Sequence, residues 1–451
     1  MTGGHPGLGT NAADGYVHDS EKAVATIRVS KPAEHDLLTA TEAIEFLDVK
    51  RPTLYTYVSR GWLRSVPCTT GRGRRYVRED LERLKSRSNG HLGHTSTTII
   101  TASNGASLET NLTRIDANGP IYRGHSAIAL ARAGVRFESV AELLWTGVLP
   151  ERCPDWSKYP VSDDHLRDLE LAVEYAKRSV VHVRPDELQS FIALRLVLTA
   201  LSIRRRVRMA NARRNGVSDA RELLLLSTAL PGICGDATRA PSSTVRSIAG
   251  RLASAWKSPA ARIEPARRAR AMDQALVLVA DHGLDKLAIT VRTMAAAGAD
   301  LYACISAGLD AFAGVEYDST CMQLEHTVSD LVSPSAVCRY VAVNVDRGRS
   351  IPGFGHPWYP GGDPRATVLI EQAAALGTNT PRMRNAFALI EAARDQGAPT
   401  IEVGLVALAA ALDLPFGSTA TLVALGRMAG FIAHVFEKLG SARNGEWSSS
   451  E

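Results

Sequence analysis

Three segments set chemically able side chains beside Gly or Pro turns. The first is Asp281-His282-Gly283, ahead of an apolar run ending at Arg292. The second runs from Gly353-Phe354-Gly355-His356-Pro357 to Asp363-Pro364-Arg365. The third begins Pro399-Thr400-Ile401-Glu402 and reaches Arg427 and His434. A histidine near neutral pH serves as an acid or a hydrogen-bond donor. The guanidiniums of Arg365 and Arg427 offer bidentate grips for a dicarboxylate. A carboxylate such as Glu402 can take a proton from carbon beside a carbonyl. Taken alone, a histidine beside a Gly is more often structural than catalytic. The three segments together in one chain carry the weight, and loops near helix ends are common homes for such groups.

A different chemistry is written nearer the N-terminus. Between Leu38 and Ser88 lie eleven basic and six acidic residues, so this stretch holds the whole formal net charge of +5. A compact basic segment on an otherwise neutral chain is the footprint of a polyanion partner. Thr39 and Glu42 are spaced as a capping box before one helix. A second helix starts at Pro52 and stops at Arg60-Gly61. Leu54, Tyr57 and Val58 pack inward on it, leaving Thr53, Tyr55, Thr56 and Arg60 outward. The loop carrying Arg72, Arg74 and Arg75 has the form of a wing, and a third helix follows over 78–85.

These groups need scaffolds. The chain has 451 residues, 45% of them hydrophobic and 22% charged, enough for two or three globular units. Aromatics are scarce at 6% while Ala and Leu abound, so the expected class is mainly α. Residues 1–36 read as a flexible tail, 37–88 as a small helical unit, and 89–120 as a linker with a short β-hairpin around Thr97 to Thr101. Helices are expected over Ala141–Leu149, Pro185–Leu201, Arg221–Leu230, Arg267–Asp281, Leu287–Ala297, Thr380–Gln396 and Ser418–Leu439. Residues 441–451 read as a short tail. Six scattered cysteines form no C-x-x-C pair, which argues against a zinc or redox motif and suits a reducing cytoplasm. No basic start leads into an apolar run at the N-terminus, and the longest strongly apolar stretch, Val403 to Leu412, is about half a membrane span. No membrane association and no metal site are expected.

Two resemblances sharpen this. T-x-x-E-A, L-x-V, T-L-Y, G-W-L and G-R-R-Y-x-x-x-D-L within 37–88 resemble the winged helix-turn-helix of the MerR and excisionase type. The resemblance implies double-stranded DNA as partner, with the second helix in the major groove and wing arginines on phosphate. A small unit with a solvated basic face, or a protein-docking module, reads the same residues. Over 121–440 the chain resembles the citrate synthase family, through Tyr122-Arg123-Gly124, Val140-Ala141-Glu142-Leu143-Leu144-Trp145-Thr146-Gly147-Val148-Leu149-Pro150, Ile305-Ser306-Ala307-Gly308-Leu309 and above all G-F-G-H-P-x-Y-P-x-G-D-P-R-A. That resemblance implies an almost all-helical homodimer with a large domain and a small lobe, here about 316–403. It implies condensation of an acyl-CoA with a 2-oxo acid, with a coenzyme A thioester as co-substrate and no permanently bound cofactor.

Carried over position by position, His282 falls on the oxo-acid-binding His and His356 on the His that polarises the oxo group. Arg365 and Arg427 fall on carboxylate-gripping arginines, and Glu402 on the catalytic Asp. The sequence also departs from the family. Tyr317 stands where the enol-stabilising His belongs, Asp318 and Ser319 replace two glycines, and the C-terminal R-P-R has no match. The departures gather on the acyl-CoA half of the site. Two readings follow: an acyltransferase with an added DNA- or partner-binding head, or a dimeric regulator whose former enzyme domain senses a di- or tricarboxylate. A subunit paired with an active homologue is a variant of the second.

Overall fold

The computed structural model describes residues 37–47, 49, 51–59, 63–68, 74–78, 80–81, 98–101, 107–156, 163–180, 189–208, 216–228, 247–256, 262–313, 316–356 and 358–442. The expected tail at 1–36 lies outside them, as does 443–451 of the tail expected over 441–451, whose first two residues, Ser441 and Ala442, instead close the last helix. The chain divides into two compact units, Met1–Lys85 and Ser86–Glu451.

In the N-terminal unit, strand β1 (Leu37–Leu38) leads into helix α1 (Ala40–Leu47) and helix α2 (Arg51–Ser59). Strands β2 (Ser65–Pro67) and β3 (Arg74–Val77) complete an antiparallel sheet in the order β1-β3-β2, with Leu38 opposite Tyr76 and Val66 opposite Arg75. The capping box forms: Thr39 N donates to Glu42 Oε2 at 2.7 Å, and Glu42 N to Thr39 Oγ1 at 3.3 Å. Leu38, Ala43, Leu54, Leu63, Tyr76 and Leu81 make the core, with Val58 packed against it. Arg64 donates Nε and Nη2 to Asp80 at 2.8 and 2.9 Å, so its charge is spent inside the unit. Of the expected third helix, Arg78, Asp80 and Leu81 are described, and they are helical.

The second unit opens with β4 (Thr98–Thr101), β5 (Ser107–Thr110), β6 (Thr113–Asp116), β7 (Gly119–Tyr122) and β8 (His125–Ser126). β4 pairs with β5 from Thr98↔Thr110 to Thr101↔Ser107, and β7 sits between β6 and β8. The hairpin expected around Thr97 to Thr101 is present as β4 paired with β5, and strands continue through the rest of the expected linker to Ser126. Strands as short as Ser-Leu-Glu-Thr and Thr-Arg-Ile-Asp carry too little apolar alternation to stand out from a loop.

Fifteen described helices follow. They are α3 (Ala127–Ala133), α4 (Phe137–Thr146), α5 (Asp163–Val180), α6 (Gln189–Arg208), α7 (Gly216–Ser227), α8 (Ile248–Ala255), α9 (Pro265–Leu278) and α10 (Lys286–Ala296). Then come α11 (Leu301–Ala313), α12 (Glu316–Asp330), α13 (Pro334–Asp346), α14 (Pro364–Leu376), α15 (Pro381–Ala392), α16 (Ile401–Leu412) and α17 (Ser418–Ala442). The mainly α class holds. Helix α4 ends at Thr146 rather than Leu149, because Gly147 turns left-handed (φ 81°) and its N–H closes on Leu143 O at 2.8 Å. The expected small-lobe end at 403 falls inside the continuous α16, so a boundary there would cut one helix in two.

Helices α16 and α17 are the buried centre: every residue of Ile401–Leu412 is inside. Within α17, Ser418–Gly440 is long and apolar enough to cross a membrane, but 94% of that window is buried in the protein. It exceeds the Val403–Leu412 stretch read from sequence, because Arg427 and His434 interrupt the run on paper and are paired in the fold.

Candidate active site

Two loops and two helices build the site. The loop between α9 and α10 is held from behind by Tyr122, whose hydroxyl donates to Val277 O at 3.0 Å and accepts Asp281 N–H at 3.4 Å. Asp281, fully buried, accepts from Gly283 N at 3.0 Å and from Arg427 Nη1 at 3.3 Å. Asp285 caps α10 through Ala288 N at 2.8 Å and accepts Arg427 Nη2 at 2.7 Å. One guanidinium from α17 is thus fixed between two carboxylates of the loop. Burial alone would raise the Asp281 carboxyl, but His434 and Arg427 outweigh it and hold it well below the usual carboxylate range. Asp285 goes the other way, pushed up by burial.

His282 sits on this loop with its Nε2 3.2 Å from the Tyr359 hydroxyl. Trp358 and His356 flank it, with ring centroids 5.7 and 6.3 Å away. Burial, and then the guanidiniums of Arg365 and Arg427 with His356 beside them, push its pKa well below the ordinary histidine value. His282 is therefore a neutral imidazole at pH 7, a hydrogen-bonding group rather than a cation.

The second loop carries His356. Gly355 N donates to Ala398 O at 2.9 Å and Thr400 N to Gly353 O at 2.8 Å, and Phe354 pairs with Pro399 as a β-bridge. Gly397 (φ +132°) permits the approach: a Cβ there would lie 2.9 Å from Gly355 Cα. His356 Nδ1 accepts Trp358 N–H at 3.1 Å, which places the neutral ring's proton on Nε2. Asp363 caps α14 through Arg365 N at 3.0 Å, ahead of Pro364 at the first helical position. Asp363 also accepts Arg365 Nε and Nη2 at 3.0 and 2.7 Å, with both side chains buried. The guanidinium lies 5.5 Å from the Tyr359 ring centroid.

Glu402 stands in the first turn of α16, buried, and accepts the Thr400 hydroxyl. Burial raises its pKa, and the Thr400 hydrogen bond pulls back against that rise. His282, Arg365 and Arg427 share one cleft with Ile401, the neighbour of Glu402, and with the apolar Phe312 and Val423. The cleft is nearly closed, with a volume of about 10 Å³, about one water.

The structure brings four sequence-singled residues, His282, His356, Arg365 and Arg427, into one neighbourhood, with Glu402 a residue away from its wall. Tyr317 lies in the first turn of α12, and its side chain is outside the described residues, as are those of Asp318 and Ser319. Sequence reading assigns no role to Asp281, Asp363 and Thr400, which stand in its three segments, nor to Asp285 and Tyr359. The D-P-R spacing, a cap followed by Pro, was the available signal for Asp363. Among the described residues no group of three or more His, Cys, Asp or Glu is arranged to hold a metal.

In the N-terminal unit, Tyr55 is 51% exposed on α2, with Thr53 and Thr56 half-buried beside it. Arg74 is exposed and donates Nε to Ser65 Oγ at 2.8 Å. Arg75, half-buried, lines a groove with Glu42 and Glu45. Arg60 and Arg72 lie outside the described residues.

Residues 101–445 match the family model described as citrate synthase, C-terminal domain, and residues 37–88 match that of a helix-turn-helix domain. The citrate synthase of Haloferax volcanii is 27% identical over 348 residues, covering 72% of this chain and 86% of that protein. A Mycobacterium tuberculosis relative is 30% identical over 181 residues, and the match spans 38% of this chain and 48% of that relative. Among solved structures, Thermoplasma acidophilum citrate synthase, in ternary complex with carboxymethyl coenzyme A and oxaloacetate, aligns with TM-score 0.59 at 17% identity, covering 76% of this chain and 94% of that one. Citrate synthase from Thermotoga maritima aligns with TM-score 0.57 at 20% identity, covering 76% and 92%. With buried Arg and His groups gathered on a helical scaffold and a family match across most of its length, the chain belongs to the citrate synthase family and carries a helix-turn-helix domain ahead of it.

Proposed function

We propose that the chain condenses an acyl-CoA, acetyl-CoA or propionyl-CoA, with oxaloacetate or a related 2-oxo acid. The observation that carries this is the shared cleft of His282, Arg365 and Arg427, with Ile401 of the Glu402 turn in its wall. Each guanidinium is oriented in advance by carboxylates of the protein, so a dicarboxylate meets donors whose direction is already set. Neutral His282 and the Nε2 proton of His356 act as donors to the oxo acid. Glu402 takes the α-proton of the thioester, and its raised pKa makes it a stronger base than a solvated glutamate. Tyr317, at the position of the family's enol-stabilising His, is the candidate donor to the enol. The narrow cleft means that substrates enter an opened form and react in one that excludes water.

The test is thiol release by the purified chain given oxaloacetate with acetyl-CoA and then propionyl-CoA. Turnover that is lost in Glu402→Gln and His356→Ala supports the reading. A native chain without turnover, which gains it in Tyr317→His, marks a site disabled on its acyl-CoA side.

A second reading is favoured by the helix-turn-helix unit, whose α2 presents Tyr55 outward over a closed core. In that reading the chain is a DNA-binding regulator that senses a di- or tricarboxylate, working as a homodimer or beside a homologous subunit. A dimer would pair two heads on half-sites related by a two-fold axis. Carboxylate-dependent DNA affinity without turnover supports it, and DNA binding blind to every carboxylate tested counts against it.

A further inference from the structure

Four residues at helical spacing on the inner face of α17, namely Arg427, Gly430, His434 and Glu437, continue inward from the cleft as one polar ladder. Arg427 meets Asp281 and Asp285 of the His282 loop. Gly430 N donates to Ala280 O at 3.0 Å, and a Cβ on Gly430 would lie 2.4 Å from Asp281 Oδ1, so α17 presses directly on the loop. His434, with no exposed surface, points Nε2 at Asp281 Oδ1 from 3.3 Å. Its other nitrogen, Nδ1, faces Arg292 Nη1 at 3.4 Å. Arg292 in turn donates to Glu437 at 2.5 Å and to Glu109 O at 3.1 Å.

A guanidinium has donors only, so the His434 nitrogen that faces it accepts and carries no proton. The proton of the neutral ring is then on Nε2, aimed at Asp281. Asp281 is thereby held from one side by His434 and from the other by Arg427, with Gly283 N on its second oxygen. The imidazole never reaches the cleft, and its effect passes through the carboxylate.

We propose that His434 is a positioning residue for the oxo-acid half of the site, holding Arg427 and His282 in place through Asp281. The role at a substrate rests on the condensing reading above. The geometry predicts a selective effect: Arg427 and the His282 loop belong to the oxo-acid side, so losing the ring weakens that substrate and spares the thioester.

The experiment compares the full-length native chain with His434→Phe and His434→Gln. Oxaloacetate binding is measured by calorimetry, and KM is measured for each substrate by thiol release. Phe keeps the bulk and loses both nitrogens, whereas the Gln amide restores a donor toward Asp281. Oxaloacetate affinity about tenfold to a hundredfold weaker in the Phe variant, recovered in the Gln variant, with KM for acetyl-CoA unchanged, is the expected result. Native oxaloacetate affinity in the Phe variant overturns the proposal. The ring itself is read in the ligand-free native chain by ¹⁵N-histidine NMR, which is independent of whether the variants fold. A proton on Nε2 with bare Nδ1 supports the ladder, and a proton on Nδ1 overturns it. A native chain that keeps the Nε2 proton yet binds no oxaloacetate refutes the condensing reading while the Asp281 support stands.

Discussion

The Thr400 hydroxyl donates to the Glu402 carboxylate inside the protein, two residues apart at the start of α16. Burial makes Glu402 reluctant to ionise, and this one hydrogen bond favours the ionised form. Thr400→Val removes the donor and keeps the shape. The Glu402 pKa then rises further, and the acid limb of the rate profile moves to higher pH. Thiol release measured against pH in both proteins checks this, and coincident acid limbs would show that Thr400 does not tune the base.

Gly430→Ala tests how tightly α17 seats on the His282 loop. An added Cβ would stand 2.4 Å from Asp281 Oδ1 and 2.5 Å from Ala280 O, one of them backbone that cannot step aside. Overpacking of this kind typically costs about 1–3 kcal/mol. The expected outcome is a lower unfolding midpoint in denaturant together with weakened oxaloacetate binding.

A pH effect on stability is expected far from the cleft. Burial, and then Asp273, push the buried Glu138 carboxyl up to about 7, above its ordinary 4.5. The folded chain then holds a proton that the unfolded chain has released. Stability is full below pH 4.5, falls as pH rises from there to about 7, and has lost this contribution above that. Glu138→Gln, which stays neutral, should flatten that stretch of the stability curve in chemical denaturation at stepped pH.

In the N-terminal unit two residues of similar sequence promise separate. Tyr55 is exposed and outside the core, so Tyr55→Ala should leave the unfolding midpoint of the head unchanged while DNA affinity drops by roughly tenfold. Asp80 is buried and accepts three donors of the half-exposed Arg64, so Asp80→Ala should destabilise the head by about 1–3 kcal/mol and lose DNA binding only through unfolding. Circular dichroism beside a salt-titrated DNA-binding assay distinguishes the two.

Much of this was legible in the chain because its signals were local. The capping pair Thr39 and Glu42, Leu54 and Tyr57 on the inner face of α2, and the His356-to-Arg365 string each lie within a few turns of sequence. What escaped depends on distance along the chain. Asp281 and Arg427 are 146 positions apart, and Arg292 and Glu437 are 145 apart, so no spacing rule reaches them. His434 reads on paper as one polar residue in an apolar helix, and its meaning comes from Asp281 and Arg292 arriving from elsewhere. The strands over 107–126 were hidden for another reason: they are short, and the partners that anchor their start lie far along the chain, as when Thr110 and Asn111 donate to Glu437 and Arg292 donates to Glu109 O.

The β-bridge between Phe354 and Pro399 has a mechanical consequence. Hydrogen bonds on either side of it tie the His356 loop to the start of the Glu402 helix, so these two groups form one lever arm. Arg427 and the His282 loop form another, bolted together by Asp281 and Asp285. The two arms meet through His282 Nε2 and the Tyr359 hydroxyl at 3.2 Å, so a change in the gap between them is taken up first at that contact while each arm keeps its own alignment.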